Sequence, residues 1–207
     1  MAADPPQLIV PDVDAWRAWL AEHVGDQPGV WLVLAKKGTT EPTSLTYAQA
    51  LDEALCQGWI DGQARTIDAA TYQQRFTPRR ARSLWSRRNV GYVERLTAEG
   101  RMQPAGLAEV ARAQADGRWE AAYAGPATIE VPPDLAAALA ASPTAQASFA
   151  RLTGQNRYAV LHRVVTAVRP ETRARRIAQH VAMLERGGTP YPQRSDPRGS
   201  DPRGPDP

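Results

Sequence analysis

The tightest constraint on the fold is the run LTYAQALDEALCQGWIDGQARTIDAATYQQRFTPR, residues 45–79. Thr46 and Gln49 form the T-x-x-Q signature of a capping box, in which each end residue satisfies a backbone N–H of the other's turn. Tyr47, Ala50, Leu51, Ala54 and Leu55 then repeat at helical spacing, and Gly58 supplies the left-handed residue that ends a helix. Residues 59–67 and 71–79 follow as two strand-like runs joined by the short turn Asp68–Ala70, with Pro78 stopping the second because it cannot donate to a ladder. A helix feeding a hairpin makes the N-terminal half α+β, not all-helical.

The flanking segments fit the same architecture. Asp12 is placed to cap a helix with Val13, Trp16, Trp19 and Leu20 on one side and Gly25 at its end, and residues 29–38 read as a buried strand closing on two lysines. From residue 86 the pattern turns helical, with runs over 86–99 and 104–116, and the prolines of PPDL (132–135), SPTA (142–145) and RPET (169–172) open further helices. The expected fold is α+β, a small antiparallel sheet flanked by helices, followed by a helical C-terminal region. Residues 1–11 are expected as a flexible N-terminus, 12–124 as the α+β domain and 125–134 as a linker. Residues 135–188 then form the helical region, and 189–207, where SDPRG occurs twice, a disordered tail.

Of the 207 residues, 43% are hydrophobic and 23% charged, ordinary for a globular chain and enough to bury a core without disulfide staples. The single Cys56 excludes an internal disulfide, and no signal-peptide pattern or run of apolar residues long enough to span a bilayer occurs. A cytoplasmic protein with no membrane insertion is the expectation. His23, His162 and His180 fall on separate segments without ligand spacing, so neither a metal nor a cofactor is expected, and oligomeric state is unknown.

The net charge of +3 is modest, but its distribution is not: residues 75–89 hold Arg75, Arg79, Arg80, Arg82, Arg87 and Arg88, while the neighbouring acids are Asp68 and Glu94. Ser86 is a good N-cap, with Trp85 and Val90 placed as a hydrophobic staple, so these residues have a purely structural explanation. The arginines do not, because Arg87 and Arg88 occupy the first helical positions, where cations oppose the helix dipole. Asn89 adds an amide inside the apolar arc of Val90, Tyr92, Val93 and Leu96, where it needs a partner, from the backbone or from a ligand. A small anion at this helix start, held by free N–H groups with Arg79, Arg80 and Arg87, is one reading. Pairing of the arginines with Asp61, Asp52 or Glu94 is the other.

Cys56 lies in the last turn of its helix, where the dipole disfavours a thiolate, and points away from the apolar stripe, so it is either exposed or covered by a second element. Asp61 is the candidate catalytic residue, as a general base on an anionic substrate clamped by arginines, or simply an arginine partner. Nucleic-acid binding through the two arginine groups, residues 75–89 and Arg169–Arg176, is a further alternative. The sheet lacks the aromatic stacking pattern of an RNA-recognition module.

The succession WLVLAKKG, LTYAQALDEALCQGWIDG, YQQRFTPRRARSLWSRRN, VERLTAEGRMQPAG and DGRW, with PETRARRIAQHVAMLERG near the end, resembles the YdeI/OmpD-associated, or bacteriocin-protection, family over residues 12–188. The resemblance implies a bacterial stress-resistance protein of unassigned biochemistry, with a pocket formed by Cys56, Trp59, Asp61, Arg75, Arg79, Ser83, Trp85 and Asn89. One position departs from the family pattern, the aromatic residue after the cysteine being Gln57 here, which suggests that this position is exposed.

Overall fold

A computed structural model describes residues 4–25 and 28–193, which divide into two compact units, one up to residue 122 and one from residue 123. In the first unit β1 (Gln7–Leu8), β2 (Val30–Ala35), β3 (Trp59–Thr66) and β4 (Thr71–Pro78) form a sheet in the order β1-β2-β4-β3. β2 and β3 run antiparallel to β4, as expected, but β1 runs parallel to β2 and makes the sheet mixed. Gln7 and Leu8, expected within a flexible N-terminus, are therefore part of the sheet. Two residues are too few to show a strand periodicity, and their pairing with Trp31 and Leu32 is what makes them a strand.

Helices α1 (Val13–Glu22), α2 (Tyr47–Cys56), α3 (Arg87–Ala98) and α4 (Pro104–Ala115) complete the unit. Their starts follow from the sequence. Asp12 Oδ1 accepts from Ala15 N–H at 2.9 Å, both halves of the Thr46–Gln49 capping box are present, and the Ser86 hydroxyl accepts from Asn89 N–H at 3.1 Å. The core forms where α1 and α2 cover one face of the sheet. Trp16 lies 5.7 Å from Phe76 by ring centroids, meets Trp59 edge-on, and donates its indole N–H to Ala50 O at 3.1 Å, which ties α1 to α2. Such aromatic edge contacts add about 0.5–1.5 kcal/mol each beyond the area they bury.

Strand alternation decides which side chains can meet. Tyr72, Gln74 and Phe76 face the helices, and Trp59 and Asp61, paired with Pro78 and Phe76, face the same way. Gln73 and Arg75 fall on the opposite face, where Arg75 is paired with Trp31.

The second unit contains α5 (Pro133–Ala140), α6 (Pro143–Ala150), α7 (Gly154–Val165) and α8 (Pro170–Glu185) around Leu135, Leu139, Phe149, Val160, Leu161, Ile177 and Leu184. Three of the four begin at the prolines that announced them, whereas α7 starts from the Thr153 hydroxyl, which caps Asn156 N–H at 3.3 Å. The buried Asn156 side chain bonds both backbone groups of Tyr191, so residues 189–193 of the expected tail are held against this unit. Residues 194–207 of that tail lie outside the described residues. Among the described residues no helix is long and apolar enough to cross a membrane.

Candidate functional site

The ten candidate residues fall into four places. Trp59 is core, 1% exposed, with Trp16 and Trp19 against its ring. Cys56 is also buried, and the element that covers it is α4: Gly106 approaches so closely that an added Cβ would stand 2.2 Å from Cys56 O. Burial, with help from the Glu53 carboxylate, pushes the Cys56 thiol up to about 11, which leaves it protonated at neutral pH. Gln57 beside it is half-buried, not exposed, and lines a cavity of about 430 Å³ with Arg17, Glu53 and Arg101.

Arg75 lies on the other face of the sheet, near Asp4, whose carboxylate also accepts the Trp31 indole N–H at 3.1 Å and pairs with Arg65 at 3.3 Å. The Arg65 guanidinium covers the Trp31 ring at 3.9 Å. Arg75 is therefore separated by the thickness of the sheet from Asp61 and Trp59.

Arg79, Arg80, Ser83 and Trp85 form the connection from β4 to α3. Arg80 N–H donates to Ser83 Oγ and Ser83 N–H to Arg80 O, both at 2.9 Å, closing a turn that Arg118 clamps by donating to Ser83 O at 2.8 Å. Arg79 points inward. It is 6% exposed, its guanidinium stacks 3.5 Å from the Trp85 ring centre, and it donates to Leu84 O at 3.2 Å. A desolvated guanidinium over tryptophan is worth about 2 kcal/mol, so this pair anchors the turn. Trp85 also meets Trp119 in an edge contact, 4.8 Å between ring centroids, while its indole N–H is sealed from solvent without an acceptor among the described residues.

The fourth place is the start of α3. Arg80, Arg82, Arg87 and Arg88 are exposed, and among the described residues none of them, nor Arg75, has a carboxylate oxygen within 4.0 Å. Two of the three acids proposed as partners are engaged elsewhere, and Glu94 has no arginine nitrogen within 4.0 Å among the described residues. Asp52 holds Arg95 at 2.7 Å and Arg101 at 3.5 Å, and Asp61 accepts the Tyr47 hydroxyl at 2.8 Å. Asn89 is 8% exposed and its side-chain amide makes no hydrogen bond among the described residues, although its atoms keep access to solvent.

Two residues of this neighbourhood, Tyr47 and Tyr92, were not singled out as site residues from the sequence, and Arg88 was named there only within the arginine run. Arg88 donates to the Tyr92 hydroxyl at 3.0 Å and sits 5.7 Å from the centre of the Tyr47 ring, and Tyr47 in turn bonds Asp61. Burial and the Asp61 carboxylate push the Tyr47 phenol well above its ordinary value, so it stays protonated as a donor. The Arg88–Tyr92 spacing of four was a legible signal. Tyr47 resembled an ordinary member of the apolar stripe. The contacts Tyr47–Arg88 and Asp52–Arg95 place α2 and α3 side by side in the same direction, so both positive helix ends lie at this site.

His23 stacks on Trp19 at 4.1 Å, His162 meets Tyr123 edge-on in the second unit, and His180 is buried on α8.

Fold and site together define a two-unit α+β protein whose first unit presents, at paired helix starts, arginines without a carboxylate partner among the described residues, and whose second unit is a helical domain. Residues 128–187 of that second unit match the model of the family described as Bacteriocin-protection, YdeI or OmpD-Associated. Residues 8–109, which carry the motifs from WLVLAKKG to VERLTAEGRMQPAG, match a separate family model, Domain of unknown function (DUF8412). No curated protein and no solved structure matches the chain.

Proposed function

We propose that the first unit binds a small anionic ligand at the start of α3, through Arg87, Arg88, the first-turn N–H groups and Asn89. The observation that carries this reading is Asn89, 8% exposed and without a side-chain hydrogen bond among the described residues, next in sequence to two arginines that have no carboxylate partner among those residues. A cation in the first helical turn is unfavourable by about 0.3–1 kcal/mol, which a bound anion reverses, and its acceptor oxygens take the Asn89 amide N–H in place of water. Arg80 stands near enough in sequence to extend the site outward, whereas Arg79, Trp85 and Ser83 support it by fixing the turn that leads into the helix. We infer that the protein acts in the cytoplasm, which suits its single, buried thiol, and that anion binding is its contribution to the stress resistance suggested by the family name.

Thermal unfolding in phosphate, sulfate and small carboxylates at two salt concentrations tests the reading. Ligand at ~100 times its dissociation constant stabilises by about 2.7 kcal/mol, easily seen as a shift in Tm. The shift is expected to vanish in the Arg87→Ala/Arg88→Ala double variant. Equal Tm values across all anions, or a shift that survives the double variant, would refute the proposal.

A further inference from the structure

Resting on that anion-site reading, the open valences around it point to a narrower class of ligand. Asp61 is half-buried on the helix-covered face of the sheet; Oδ2 accepts from Tyr47, and Oδ1 makes no hydrogen bond among the described residues. Arg88 packs against the same Tyr47 ring at 5.7 Å and uses Nε for Tyr92, which leaves its two terminal nitrogens unbonded among the described residues. One phenol is thus flanked by a cation with free donors and a carboxylate with a free acceptor. A bare phosphate or sulfate uses the first and is repelled by the second.

We propose that the ligand is a phosphate monoester of a small polyhydroxy compound, its phosphate on Arg87, Arg88 and Asn89 and a neighbouring hydroxyl donating to Asp61 Oδ1. Charge selects this class over a zwitterion such as a free amino acid. Two guanidiniums and one carboxylate sum to +1, and the aligned starts of α2 and α3 add the partial positive charge of their unsatisfied N–H groups. A ligand carrying between one and two negative charges balances that field, and a neutral zwitterion does not. The remaining carboxylate valence needs a donor without its own charge, which a hydroxyl supplies. Tyr47 holds the carboxylate in place, so Asp61 is oriented before ligand arrives.

The experiment is calorimetric titration of the full chain with two three-carbon esters that differ only in hydroxyls, n-propyl phosphate and glycerol 3-phosphate. A hydrogen bond to a charged acceptor favours glycerol 3-phosphate by about tenfold. In Asp61→Asn the acceptor toward the ligand is replaced or blunted and its repulsion removed, so n-propyl phosphate is expected to bind as well as or better than before while the preference falls toward one. Equal affinity of the wild type for the two esters would overturn this inference and leave the anion site standing, as would a preference that persists in Asp61→Asn. Absence of binding by either ester, by phosphate and by sulfate would overturn both. The wild-type comparison decides the matter even where the variant does not fold.

Discussion

Replacing Glu53 by glutamine removes a charge from the interior of the first unit while preserving its shape. The Glu53 side chain is 5% exposed and takes three hydrogen bonds: Arg17 Nε to Oε2 at 2.9 Å, Arg17 Nη2 to Oε1 at 2.8 Å, and Arg101 Nη2 to Oε1 at 2.8 Å. Burial pushes this carboxyl up, but the bonds from Arg17 and Arg101 outweigh it and hold it below its ordinary value of 4.5. A glutamine oxygen at the Oε1 position keeps two of the three bonds in weakened form and turns an N–H toward Arg17 Nε, donor against donor. Removing a partner from a buried ion pair costs about 3–5 kcal/mol. Here Arg17 and Arg101 are 50% and 35% exposed and regain water, so about 2 kcal/mol is the expected loss at pH 7. For a unit of this size that lowers Tm by ~8 °C.

The assay is urea unfolding followed by tryptophan fluorescence, because all six tryptophans fall within residues 1–122 and report on that unit alone. The pH dependence supplies the sharper check. A carboxyl with a depressed folded pKa contributes stability that is complete above its unfolded value and is lost as pH falls through the folded one. Glutamine does not titrate, so the wild-type advantage should be constant from pH 8 to about 5 and shrink in stronger acid. A neutral-pH difference below about 0.5 kcal/mol, or one that persists undiminished at pH 2–3, would refute the argument that charge-assisted bonding of Glu53 stabilises the unit.

Two further substitution or labelling experiments test the packing around Cys56. Gly106→Ala places a Cβ against backbone, 2.2 Å from Cys56 O and 2.9 Å from Leu55 O, so α4 must move away from α2; overpacking of about 3 kcal/mol against a helix-propensity gain of ~1 leaves a net loss near ~2, and a neutral or stabilising result in urea would contradict the close approach. Cys56, 2% exposed with its thiol pushed up to about 11, should resist a thiol reagent at pH 8 in the native protein and react fully once unfolded, whereas rapid labelling of the native state would show the site to be open.

The helices were legible wherever their ends carried local chemistry. Thr46 with Gln49, Ser86, Asp12 and the prolines before α5, α6 and α8 act within four residues of themselves, and their geometry is that expected from the sequence. β1 was not legible because its two residues are stabilised only by β2, more than twenty positions away. The candidate site was legible as a charge pattern but not as a constellation. Strand alternation sends Arg75 to the face opposite Asp61, and Arg79 turns under Trp85 instead of outward with Arg80. The Tyr47–Asp61 bond joins a helix to a strand across 14 positions and has no local signature at all.

The allocation of acids along α2 and α3 bears on why Arg80, Arg82, Arg87 and Arg88 have no carboxylate partner among the described residues. The helices run in one direction, and toward their C-terminal ends Asp52, Glu53 and Glu99 are matched to Arg17, Arg95 and Arg101 at distances of 2.7–3.5 Å. At the opposite end neither helix carries an acid in its first turn, and the nearby Asp61 of β3 is already bonded to Tyr47. A chain selected only for stability would place acids in that first turn, where each carboxylate gains about 0.3–1 kcal/mol from the helix dipole. Local rules broken at one place and obeyed at the other end of the same helix pair mark a position under a different requirement. Exposed arginines alone are tolerated on many surfaces. What sets this helix start apart is their coincidence with Asn89, which is 8% exposed within an apolar arc and makes no side-chain hydrogen bond among the described residues. Asn89→Leu separates the two explanations: it should stabilise the free protein, by placing an apolar side chain in the arc of Val93 and Leu96, and at the same time weaken anion binding. Loss of stability without loss of binding would assign Asn89 to the fold instead.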